Sequence, residues 1–82
     1  MPNILPMLPR VATAQAEADY QLLLTFTNGE QSRYDASPLL QYPVYASLKK
    51  VFPQVQVRFG TTVWPGDIDI SPDTLYLQSI PI

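Results

Sequence analysis

The sequence predicts an α+β fold, a mainly antiparallel sheet of about five strands with one helix packed on a face. Three observations predict it. Strand-like segments fall into two groups, three before a helical stretch and two after it. The pair Asn28-Gly29 marks a hairpin between two of them. A Ser-Pro pair then opens a short closing helix, so the element order is three strands, helix, two strands, short helix.

Residues 1–9 carry prolines at positions 2, 6 and 9, which bars a helix and makes this stretch an extended arm. Residues 10–82 form the single domain, because a chain of 82 residues can build only one hydrophobic core. From Arg10 to Gln15 the mix of Val11, Thr13 and alanines reads as a weak strand, and Glu17, Ala18 and Asp19 form a polar connection. Gln21 to Thr27 is a second strand leading into Asn28-Gly29, a pair suited to the two positive-φ positions of a type I′ turn. A two-residue loop would place Leu24 opposite Arg33 and Leu23 opposite Tyr34. A one-residue bulge would exchange the faces of the second strand.

Ser37-Pro38 resembles an N-cap followed by proline at the first helical position. Val44, Tyr45, Leu48, Val51 and Phe52 recur at three- and four-residue spacings, which predicts an amphipathic helix over 43–51 that Pro53 ends. Val55, Val57 and Phe59 then alternate with polar residues. Gly60 punctuates, and Thr61 to Trp64 resumes extended structure as a second hairpin. Ser71-Pro72-Asp73 repeats the cap-and-proline signature before Leu75, Tyr76 and Leu77.

Cysteine and histidine are both absent, which removes disulfides, thiol nucleophiles, imidazole chemistry and the usual zinc ligands. Five Lys and Arg against seven Asp and Glu give a net charge of −2, the wrong sign for neutralising phosphates, so no direct nucleic-acid role is expected. The N-terminal run lacks a basic start, its prolines interrupt any signal-type helix, and no apolar stretch is long enough to span a membrane. The expected setting is the cytoplasm.

Asp67, Asp69, Ser71 and Asp73 stand at alternate positions, as in the opening of a calcium loop, yet Pro72 and Gln78 occupy the places where that loop needs glycine and glutamate. The alternative is two turn aspartates, a cap and an anion in a helix's first turn. Asp35 could meet Asp67 or Asp69 across the sheet for acid-base work, but no spacing requires it. Trp64, the single tryptophan, is either an interface anchor or core. Tyr20, Tyr34, Tyr42, Tyr45 and Tyr76 would be a stacking platform only beside a basic groove, and the one basic cluster, Lys49-Lys50, suits a helix C-terminus. Ile4, Leu5, Met7 and Leu8 have no evident place in the domain's own core. They make either an arm lying on a second chain or a free terminus.

Tyr20-Gln21-Leu22-Leu23-Leu24-Thr25-Phe26 before Asn28-Gly29-Glu30, then Tyr34-Asp35, Pro38-Leu39-Leu40, Trp64-Pro65, Asp69 and Pro72-Asp73-Thr74-Leu75-Tyr76 form an ordered set. Through these residues, from Arg10 to Tyr76, the chain resembles the bacterial family catalogued as domain of unknown function 2442. Gln31 and Arg33 stand where relatives usually carry apolar strand residues, and Gly66-Asp67 replaces their Asn-Gly turn. The resemblance implies a small α+β fold of the kind seen in the N-terminal domain of a nitrifier protein, with no reaction, cofactor or catalytic residues to carry over. Some relatives append a helix-turn-helix domain, and others occur beside a second small protein in a toxin–antitoxin-like arrangement.

The resulting expectation is a non-enzymatic protein-interaction or regulatory module with a protein partner, self-association as a homodimer, and no cofactor. The contrasting expectation is a small-ligand or divalent-metal-dependent enzyme using Asp67, Asp69 and Asp73.

Overall fold

The computed structural model describes residues 8–82. They form β1 (Val11–Glu17), β2 (Gln21–Phe26), β3 (Gln31–Asp35), α1 (Leu48–Val51), β4 (Gln56–Arg58), β5 (Thr61–Trp64), β6 (Ile68–Ile70), α2 (Pro72–Gln78) and β7 (Ile80–Pro81). The class is α+β, but the strands make two antiparallel sheets and not one sheet of five: sheet A, in the order β1-β2-β3-β7, and sheet B, in the order β4-β5-β6. Side chains join the two sheets. Phe52 stacks on Trp64 of β5 at 5.8 Å and takes the edge of Tyr20, from the β1–β2 connection, at 5.3 Å. The Val11 N–H also donates to the Gly60 carbonyl at 2.9 Å, where Arg10 passes over Gly60.

The β2–β3 hairpin takes the bulged register. Gly29 N–H donates to the Phe26 carbonyl at 2.9 Å and Phe26 N–H to the Glu30 carbonyl at 2.8 Å, which makes a three-residue loop of Thr27, Asn28 and Gly29. Only Gly29 in that loop has a positive φ, +88°, as a turn with a glycine bulge requires and a type I′ turn does not allow. Leu22 therefore pairs with Tyr34 and Leu24 with Ser32. Buried Leu22, Leu24 and Phe26 share the inner face with Ser32 and Tyr34, while Arg33 and Asp35 face outward. The two-residue register would have put both charges in the core, and burying them without partners costs far more than a bulge.

The predicted helix over 43–51 resolves into short pieces. A 3-10 turn over Pro43–Tyr45 precedes α1, and another over Phe52–Gln54 follows it. With prolines at 43 and 53 the segment is too short to repay helix nucleation, and packing of Leu48 and Phe52 into the core holds it instead. Ser37 does not cap the turn over Ser37–Gln41; the Asp35 carboxylate accepts from the Ser37 N–H at 2.9 Å and hydroxyl at 2.7 Å. Ser71 precedes α2 as expected but makes no side-chain cap bond.

Two strands were not expected. Ile68 and Ile70 of β6 are buried around exposed Asp69, a period-two pattern hidden by the turn-like aspartates beside it. Strand β7 is only two residues long, below what sequence alternation can reveal. Tyr76 of α2 ties the sheet A hairpin to the helix, its ring edge-on to Phe26 at 5.0 Å and its hydroxyl donating to the Glu30 carboxylate at 2.9 Å.

Candidate functional site

A groove opens on each sheet. On the four-stranded sheet, Gln15, Leu23, Arg33 and Ile80 form one cross-strand row, and the outward alternation of β3 places Gln31 and Asp35 beside it. Arg33 reaches across β2 to Glu17, Nε to Oε1 2.8 Å. At the β7 end a groove of about 650 Å³ lies against the turn over Ser37–Gln41, lined by Arg33, Asp35, Leu39, Tyr42, Ile80 and Ile82 among others. Its apolar walls face water: Tyr42 is 51% exposed, Ile80 74% and Ile82 70%. The Ser37 hydroxyl and then its N–H hold the Asp35 carboxyl below the usual carboxylate range. Burial pushes the Tyr34 phenol up, and Tyr45 and Asp35 add to the shift.

The edge of this groove is closed to strand addition. Ile82 N–H donates to the Gln31 carbonyl at 3.0 Å, so Pro81, one residue back, turns its ring nitrogen outward. A proline there offers no N–H to an incoming strand. A partner must therefore meet side chains.

On the three-stranded sheet, β4 and β5 are joined by two residues, Phe59 and Gly60, both with positive φ, +54° and +75°. This is the type I′ arrangement expected of Asn28-Gly29, and here it forces a phenylalanine into the left-handed region at a cost of about 1–2 kcal/mol. Phe59 is nevertheless 93% exposed, so burial returns nothing for that strain. A groove of about 500 Å³ runs from it along the outer face to the Pro65-Gly66-Asp67 turn, lined also by Gln56, Arg58, Val63 and Asp69.

Trp64, a candidate interface anchor from the sequence, is core: it is 4% exposed and its indole N–H donates to the Phe52 carbonyl at 3.0 Å. Of the arm residues, Leu8 is half-buried ahead of β1, whereas Ile4, Leu5 and Met7 lie outside the described residues. Asp67 and Asp69 share the sheet B groove but Asp73 does not line it, and among the described residues no three His, Cys, Asp or Glu side chains gather as a metal site. Asp35 stands on the other sheet from Asp69, so the two do not meet across one ladder. The tyrosines form no platform: Tyr34 is buried, Tyr42 exposed, and Tyr20, Tyr45 and Tyr76 half-buried in separate places. Lys49 and Lys50 occupy the last turn of α1. No helix among the described residues is long and apolar enough to cross a membrane.

Sequence reasoning missed Phe59, Tyr42, Ile80 and Ile82. Phe59 continues the alternation of Val55 and Val57 and so reads as a strand residue; the following Gly60 was the available signal for a turn. For Ile80 and Ile82 the signal was an apolar pair alternating around Pro81 at the chain end. The model of the family described as "Protein of unknown function (DUF2442)" matches residues 11–81, and the chain belongs to that family. None of the curated proteins and none of the solved structures compared with it matches.

Proposed function

We propose that this member of the DUF2442 family is a small non-enzymatic protein-interaction module that receives a protein partner on the sheet A groove. The observation that carries the reading is the convergence of three large exposed apolar side chains, Tyr42, Ile80 and Ile82, on one groove that Arg33 and Asp35 also line. An exposed apolar patch rimmed by polar and charged groups is the usual composition of a protein-binding surface. The blocked β7 edge favours side-chain recognition over strand pairing. The family resemblance suggests the partner class, a second small protein of a toxin–antitoxin-like pair, with a regulatory outcome.

The test is affinity capture of tagged protein from lysate of the source cells, identification of the captured chain, and titration of that purified chain against wild type and variants. Ile80→Asp and Tyr42→Ala should each weaken binding by about tenfold or more. Wild-type affinity in both variants would move the site elsewhere.

A further inference from the structure

We propose that the outer face of sheet B is the contact between two copies of this chain, with Phe59 of each copy seated in the other's groove. The inference is independent of the partner proposed for sheet A. It starts from a residue that is unfavourable twice over in the single chain, since Phe59 holds a left-handed φ of +54° and is 93% exposed. Core registry accounts for the tight turn but not for a phenylalanine at its strained, exposed first position, and that choice of residue points to a role outside the chain. A knob of this size needs a hole, and the groove of about 500 Å³ beginning at its own base supplies one in a second copy.

Charge selects a second copy over an unrelated surface. Arg58 lines the groove beside Phe59, while Asp67 and Asp69 line it toward the β5–β6 turn. Among the described residues the Arg58 guanidinium has no carboxylate partner, its Nε donating only to Gln56 Oε1 at 3.2 Å, and the one ion pair is Arg33 with Glu17. The groove is therefore positive at one end and negative at the other. A two-fold axis lying in the interface across that diagonal sets each Arg58 against the partner copy's aspartates, which is how an isologous contact closes on itself. A face of three short strands lies at the small end of specific interfaces, so the dimer should depend on concentration.

Sedimentation and light scattering on the full chain over a concentration series provide the test. Wild type should pass from monomer to dimer. Phe59→Asn should stay monomeric yet, at concentrations low enough for wild type to be monomeric as well, melt at a higher temperature, because asparagine tolerates the left-handed region. Arg58→Glu should also stay monomeric, and mixing it with Asp67→Arg/Asp69→Arg should restore a mixed dimer. Ile80→Asp should dimerise as wild type does, which separates this contact from the sheet A groove. A wild-type chain that remains monomeric throughout, a Phe59→Asn chain that still dimerises, or charge-reversed chains that fail to recombine would each overturn the proposal.

Discussion

The β2–β3 hairpin closes through Thr27, Asn28 and Gly29, of which only Gly29 takes a positive φ, whereas the β4–β5 hairpin closes in two residues with Phe59 and Gly60 both positive. Asn-Gly is the better pair for the tight turn, and it is the pair that does not make one. The difference lies in what each strand must bury. In β3 the tight register would turn Arg33 and Asp35 into the core, so the loop takes an extra residue and Tyr34 goes in. Along β4 and the residue just before it the half-buried positions are Val57 and Val55, and a tight turn keeps Val57 opposite buried Thr62 while throwing Phe59 into water. Core registry overrides turn preference in both hairpins, and the strain falls on whichever residue is left at the turn.

The comparison can be broken most severely at the aromatic layer linking the sheets. Trp64→Ala removes the ring stacked on Phe52 and should destabilise the chain by about 3–5 kcal/mol in urea unfolding. Trp64→Phe should recover most of that loss but not the bond to the Phe52 carbonyl. A loss below about 1 kcal/mol for Trp64→Ala would mean that the sheets hold together by other contacts.

A direct comparison of the turns comes from their glycines. An added Cβ at Gly29 meets nothing within 4 Å, so Gly29→Ala should cost only the left-handed penalty, about 1–2 kcal/mol. At Gly60 the same Cβ would run into Arg10 Cδ and lie 3.0 Å from its Cβ. Gly60→Ala should therefore cost about 2–4 kcal/mol, as steric crowding adds to the φ penalty. Equal midpoint shifts for the two variants would contradict the close passage of Arg10.

The smallest effect expected is a pH dependence confined to sheet A. Because Ser37 lowers the Asp35 pKa in the folded chain, the associated stability is fully present above the unfolded-state value of about 3.9 and is lost as pH falls through the folded value. The carboxylate is exposed, so solvent weakens the contribution. Asp35→Asn and Ser37→Ala should each show a smaller fall in melting temperature than wild type on acidification below about pH 4. An unchanged acid response in both would show that the Asp35–Ser37 contact has no thermodynamic weight.

Much of this was legible locally. The hairpin at Asn28-Gly29, the proline-opened α2 and the Val55/Val57 alternation all appear where short-range chemistry places them, because φ restrictions and period-two burial act within a few residues. The candidate grooves were less legible. The sheet A groove joins residues distant in sequence, Arg33 with Ile80, whose pairing no local pattern records, and the sheet B groove needs β6, a strand that the turn-like aspartates beside it hid.

By itself the sequence determined the α+β class, the family, the absence of cysteine and histidine chemistry, and the existence of two hairpins, since these follow from residue types and their immediate neighbours. Tertiary structure alone decided the split into two sheets, the bulged register, the burial of Trp64 and the exposure of Phe59. Each of those depends on which charges and rings the assembled core can accept, a free-energy comparison made only when distant strands meet.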